Sequence, residues 1–381
     1  MFSRRSGWPR ASNAFAAQLE RARSSGRELL DLSLSSPTEV GLEYPWKRIA
    51  AALSDPRGAR YAPEPLGLLS AREAVAEHYA TRGVRVEPSQ VVLTASTSEA
   101  YGFLFKLLAD PGDAVLVPLP GYPLLDMLAD LVPLKLRAYP LAYDDAWSID
   151  LANMAEVAKG ARAMLVVAPH NPTGHAVDAR ERQVLGALAR AHDLALVVDE
   201  VFADYAPGHR SFAGFEGALT FTLSGLSKVA AMPQLKLGWM VVSGPAELRD
   251  EALARLELIA DAFLSVATPV QVGLGELLAC GAELRAQLVE RIAVNRATLR
   301  RARADHAPWD ILRGENGWYA LLHVPRTRTQ DEWCQALLEG GLIVLPGHLF
   351  DLEAPHALVV SLLVEPESFE RGARILAETI V

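Results

Sequence analysis

The sequence predicts an α/β protein: a mostly parallel sheet covered by helices on both faces, followed by a smaller α+β unit. Three observations carry this. Short, almost wholly apolar runs alternate with amphipathic stretches through the middle of the chain, the pattern of strands buried on both faces. After about residue 245 the pattern changes to long helical stretches and then short strands. The composition, 50% hydrophobic and 22% charged over 381 residues, is that of a globular chain long enough for two or three domains.

The elements follow in order. A helical pattern over 13–25 lies in an N-terminal segment of about forty residues, too short to fold alone and expected to pack on the C-terminal unit. Strand-like runs occupy 91–94, 114–117, 163–168, 194–198, 219–223 and 237–242. Between them, 181–192 is apolar at Val184, Leu185, Leu188 and Ala191, one face of a helix. Helical stretches over 245–259 and 283–304 precede short strands over 318–324, 342–345 and 357–363, with a helix over 331–338 between two of them. We therefore place a large domain at 40–270 and a small domain formed by 1–39 with 271–381.

Charge and cysteine content narrow the function. Lys+Arg is 37 and Asp+Glu is 46, a net charge of −9, so no general basic patch for nucleic acid or anionic membrane is expected. Cys280 and Cys334 are the only cysteines, too few for a disulfide framework or a cysteine-based zinc site. The start MFSRRSGWPR is basic but lacks the apolar core of a secretory signal, and no uncharged apolar run approaches a membrane span. The expectation is a soluble, cytoplasmic protein with small-molecule partners.

The chemistry-bearing residues sit where strands end. Ser227-Lys228 follows the run 219–223. A lysine beside a buried strand end is costly unless its charge has a use, and a desolvated amine is a nucleophile suited to a Schiff base; a surface lysine is the plainer alternative. Asp199 ends the run 194–198, at the edge where open α/β sheets bind ligands, or simply caps a helix. Asn171-Pro172-Thr173-Gly174 has ordinary turn chemistry, and its place at the same edge makes Asn171 a candidate hydrogen-bond donor. Ser96 and Glu99 form a capping-box pattern, and the helix start with Thr97 and Ser98 would also hold a phosphate. No GxxxxGK[ST] loop is present, which disfavours nucleoside triphosphates. Tyr122, in PLPGYP, follows the run 114–117 and is suited to stacking on a flat ring.

The order of these signals is more specific than any one of them. TASTSEA, PLPGYP, PHNPTG, VVDEVFADY and SGLSK…LKLGW, in that sequence, resemble the large domain of the class I/II aminotransferases, pyridoxal-phosphate enzymes of fold type I. The resemblance runs from YAPEPLG (61–67) to VLPGHLF (344–350). It implies a mostly parallel, seven-stranded type of sheet and pyridoxal 5'-phosphate as cofactor. It also implies ping-pong amino transfer, by aldimine and ketimine, from an amino acid to a 2-oxo acid. By resemblance Lys228 carries the cofactor as a Schiff base and shuttles the proton, Asp199 pairs with the ring nitrogen, and Asn171 bonds the phenolic oxygen. Tyr122 stacks on the ring. Ser96, Thr97, Ser227 and Lys236 serve the phosphate, and Tyr61 reaches the phosphate of a neighbouring subunit, implying a homodimer with shared sites.

Three departures qualify this picture. Phe202 stands where the family usually has a tyrosine, which removes a donor to the phenolic oxygen. Lys236 replaces an arginine and loses the bidentate fork, while Ser96 replaces a glycine in the phosphate turn. Val359 occupies the position of the arginine that clamps the substrate carboxylate, with Arg313, His348 and the N-terminal Arg4, Arg5 and Arg10 as stand-ins. A β-lyase or decarboxylase on the same fold, and a cofactor-binding protein without catalysis, are the alternatives.

Overall fold

The computed structural model describes residues 2–8, 14–24, 26–121, 124–352 and 355–381. Its strands in chain order are β1 (Leu30–Asp31), β2 (Val91–Thr94), β3 (Ala114–Leu119), β4 (Lys135–Asp144), β5 (Ala146–Ile149), β6 (Ala161–Val167) and β7 (Ala195–Asp199). They continue with β8 (Thr220–Gly225), β9 (Gly238–Ser243), β10 (Asp310–Ile311), β11 (Tyr319–His323), β12 (Leu342–Ile343), β13 (Leu345–Pro346) and β14 (Ala357–Ser361).

The main sheet has the order β2-β9-β8-β7-β6-β3-β4-β5. Strands β4, β3, β6, β7 and β8 pair in parallel, and β9 lies antiparallel between β8 and β2. Seven strands match the expected sheet, and β5 adds an eighth by folding back antiparallel on β4. The hairpin turns through Asp145 at φ 54, a left-handed position that aspartate tolerates. Its strands carry Lys135, Arg137, Pro140 and Asp144, and most of β4 is partly exposed, so no apolar run marks it.

Alternation along the central strands builds two cores. Leu196 and Val198 of β7 join Met164 and Val166 of β6 on one face, against Leu185 and Ala189 of the helix Ala179–His192. Ala195 and Val197 join Ala163 and Leu165 on the other, against the helices Thr97–Leu108 and Ala246–Asp261. A strand with both faces covered must be apolar at every position, which explains the unbroken runs.

The C-terminal part folds around a second sheet, β10-β11-β14-β13, and β1 pairs in parallel with β12, tying the N-terminal segment to it. The helix expected over 283–304 begins earlier, as Leu274–Ala302. Gly275 and Gly281 weaken the helical reading of its first turns. Gly281 is there for packing: a Cβ at that position would lie 2.4 Å from the Cβ of Ala230, two residues past Lys228.

Candidate active site

In an open α/β sheet the crevice lies beyond the carboxyl ends of the parallel strands, where chain order reverses. Here the reversal falls between β3 and β6. A cavity of about 370 Å³ opens there, and its wall includes Ser96, Thr97, Asn171, Asp199, Ser227 and Lys228. Six of the nine residues singled out in the sequence therefore converge on one space.

Lys228 sits in the short helix Leu226–Val229 directly after β8. Its Nζ lies 4.4 Å from the ring centre of Trp318 and 5.6 Å from that of Phe202. These rings stand in for water, and burial pushes the amine down to about 8, partly offset by the charge of Asp199. The backbone around it is held by side chains: Tyr205 Oη donates to the Lys228 carbonyl at 2.8 Å, Arg285 Nη1 to Val229 O at 2.8 Å, and Tyr44 Oη to Ala231 O at 2.6 Å. Tyr205, unplaced by the sequence, is thus a support of the lysine segment.

Asp199 ends β7 and is buried. Tyr101 Oη donates to its Oδ2 at 2.7 Å and the Val201 amide to its Oδ1 at 3.0 Å. Burial raises its carboxyl above the usual range, and the Tyr101 hydrogen bond opposes that rise. Sequence reasoning missed Tyr101. The available signal was its spacing of four from Thr97, which puts both on one face of the helix Thr97–Leu108.

Asn171 follows β6, and its buried Oδ1 has no hydrogen-bond partner. His170 beside it also lines the cavity; Nδ1 pairs with Thr173 Oγ1 at 2.9 Å, and burial pushes the ring down to about 3, so it is neutral at pH 7.

The Ser96 hydroxyl caps the helix Thr97–Leu108 by accepting from the Glu99 amide at 3.2 Å, and Glu99 Oε2 accepts the Ala95 amide at 2.7 Å. The cap and the cavity wall are the same residues. Two glycines bring the lysine segment against this turn. A Cβ on Gly238 would lie 3.1 Å from the Ser96 carbonyl carbon, and one on Gly225 would lie 2.9 Å from Gly238 Cα. Only bare backbone lets β2, β8 and β9 approach this closely.

The remaining candidates fall elsewhere. Lys236 is exposed and absent from the cavity wall, which is continued by Leu237 and Gly238. Tyr61 is 82% exposed, in a separate groove with Phe263 and Leu264. Tyr122 and Arg10 lie outside the described residues. Phe202 is buried edge-to-face on Trp318. Val359 is fully buried, and its register partners Leu321 and Leu345 make that stretch hydrocarbon. The stand-ins are engaged elsewhere: Arg313 lines a different cleft, His348 pairs with Asp331 at 2.8 Å, and Arg5 Nη1 donates to Leu131 O. Among the described residues, Lys228 is the one lysine or arginine in the cavity wall.

Fold and cavity together define an α/β protein with a partly buried amine and a buried carboxylate at the carboxyl edge of its main sheet. The family model "Aminotransferase class I and II" matches residues 28–376, and the chain belongs to that family, whose members use pyridoxal 5'-phosphate. Among curated relatives it is 28% identical over 260 residues to glutamate–pyruvate aminotransferase AlaA of Escherichia coli (strain K12), covering 67% of this chain and 64% of that protein. It is 27% identical over 383 residues to LL-diaminopimelate aminotransferase of Moorella thermoacetica, covering 95% and 94%. Among solved structures, alanine aminotransferase from Pyrococcus furiosus superposes with a TM-score of 0.87 at 21% identity, over 100% of this chain and 99% of that one. These structures share the fold. Among the described residues no helix is long and apolar enough to cross a membrane.

Proposed function

We propose that this protein is a pyridoxal-phosphate-dependent aminotransferase, exchanging the amino group of an amino acid for the oxo group of a 2-oxo acid. The carrying observation is the pairing of Lys228 and Asp199 in one cavity: a partly buried amine at a pKa of about 8 facing the end of the strand that carries a buried carboxylate.

The residues present fit the cofactor. Asn171 offers a carboxamide whose Nδ2 group can donate to a ring oxygen, while its buried Oδ1 has no partner of its own. The N-terminus of the helix Thr97–Leu108, with Thr97, Ser98 and Ser227 beside it, is suited to a phosphate. Asp199, oriented by Tyr101 and Val201, is suited to a protonated ring nitrogen. Bound pyridoxal phosphate supplies an electron sink for the carbon next to the transferred nitrogen. The protein supplies the proton handling. Near pH 8 the Lys228 amine is divided between its two forms, so it can take a proton from that carbon and return it nearby. Trp318 and Phe202 keep water from the amine. The apolar wall at Leu345 and Phe350 offers a second carboxylate nothing, and Val359 behind it is fully buried, so a dicarboxylic substrate is disfavoured.

We further propose a homodimer, in which exposed Tyr61 serves the neighbouring site.

A half-reaction tests the function. An amino donor added to the holoenzyme without acceptor should shift the cofactor spectrum to that of pyridoxamine phosphate, with one equivalent of oxo product. Release of an amine with carbon dioxide, or of ammonia, without that shift would identify a decarboxylase or lyase instead.

A further inference from the structure

A second cleft, of about 590 Å³, opens at the opposite edge of the main sheet, where Ser243 at the end of β9 pairs with Thr220 at the start of β8. It shares no lining residue with the catalytic cavity. Five arginines line it: Arg82, Arg85, Arg182, Arg210 and Arg249. Its lining carboxylates are Glu87 and Glu216, and Asp204 and Asp250 pair with two of the arginines from just outside the lining, leaving a formal +1 on a chain of net charge −9.

Three of the arginines are balanced. Arg85 pairs with Glu87 at 2.9 Å, Arg249 with Asp250 at 2.8 Å, and Arg82 with Asp204 at 3.8 Å. Arg182 and Arg210 enter none of the ion pairs among the described residues, and buried Glu200 attracts Arg182 only from beyond contact. Arg182 is nonetheless fixed. Its guanidinium lies 3.9 Å from the ring centre of Phe212 and 4.8 Å from that of Phe215, and Nη1 donates to the Arg210 carbonyl at 3.1 Å. A partly desolvated cation with no carboxylate in contact gains when an anion arrives beside it. His209 is an independent sign of a ligand. Its side chain is 2% exposed and lines the cleft, Nε2 faces Glu200 Oε1 at 3.2 Å, and buried Nδ1 has no hydrogen-bond partner. The floor is preformed: Gly244 is left-handed at φ +119, and a Cβ there would lie 2.4 Å from Ala218 O.

We propose that this cleft binds a small phosphate-bearing polyanion, held by the planar forks of Arg182 and Arg210 with His209 at its back. Two adjacent guanidinium groups match paired phosphate oxygens in geometry as well as charge. The inference stands apart from the aminotransferase reading and survives its failure.

The test is calorimetric titration of the holoenzyme, with its cofactor phosphate site filled, by inorganic pyrophosphate at low ionic strength. We expect one saturable site per chain, weakened about tenfold or more in Arg210→Gln and Arg182→Gln, with Arg182→Lys between the parent and Arg182→Gln. Arg210 is exposed, so its variant decides the matter if Arg182→Gln fails to fold. Absence of saturable binding up to about 10 mM, a weak affinity for charge-assisted pairing, overturns the proposal. So does binding unchanged in Arg210→Gln.

Discussion

Six lysines occur in the chain; Lys47, Lys106, Lys135, Lys159 and Lys236 are exposed, and Lys228 alone is drawn into a cavity. Its amine falls from an ordinary 10.5 to about 8 because burial disfavours the charge. The consequence for stability has a definite sign. Below pH 8 the folded apoprotein carries the full cost of a buried cation; between pH 8 and 10.5 the unfolded chain holds more protons, so stability rises with pH. Lys228→Met should therefore stabilise the apoprotein at pH 7, by up to about 3 kcal/mol, with the gain shrinking towards pH 10.5. Denaturant unfolding at both pH values checks this; equal stability at pH 7 would mean the amine is not desolvated. The sequence marked this lysine and Asp199 by their places after buried runs. It did not mark Trp318, because an aromatic contact about 90 residues away leaves no local pattern, and it left Tyr205 unplaced although the hydrogen bond to the Lys228 carbonyl spans only 23 residues.

At the scale of elements, the helix Thr97–Leu108 joins two ends of the site. Ser96 caps it, its first turn carries Thr97 and Ser98, and one turn later Tyr101 reaches Asp199. A hydrogen bond to a charged group contributes about 1.5–3 kcal/mol. Tyr101→Phe should let the Asp199 carboxyl rise further, cut kcat by tenfold or more and leave the melting temperature within a few degrees. Steady-state kinetics beside a thermal scan separate this from a packing defect, and unchanged kcat would remove Tyr101 from the account. Elements were legible in proportion to burial. The runs that became β2, β3 and β6 to β9 are covered on both faces and lie within a few residues of their expected limits. The hairpin β4–β5 is half-exposed and carries charges and a proline, so its alternation is broken. The start of Leu274–Ala302 was hidden in part by Gly281, which close contact with Ala230 demands and no propensity scale anticipates.

For the whole molecule, the site residues come from separate strands and meet only because the sheet aligns their carboxyl ends. Exposed Tyr61, Phe263 and Leu264 share a groove on the outer surface, which the proposed homodimer would cover. Sedimentation of the holoenzyme should give a dimer, and a fully active monomer would rule out shared sites. The central claim is that this cavity, and no other place on the chain, holds the cofactor through Lys228. Borohydride reduction of the holoenzyme followed by peptide mapping tests it most directly, since only six lysines compete. The account predicts a single phosphopyridoxyl label, on the peptide containing Lys228. A label on any other lysine, or none on a protein that retains its cofactor, would contradict it.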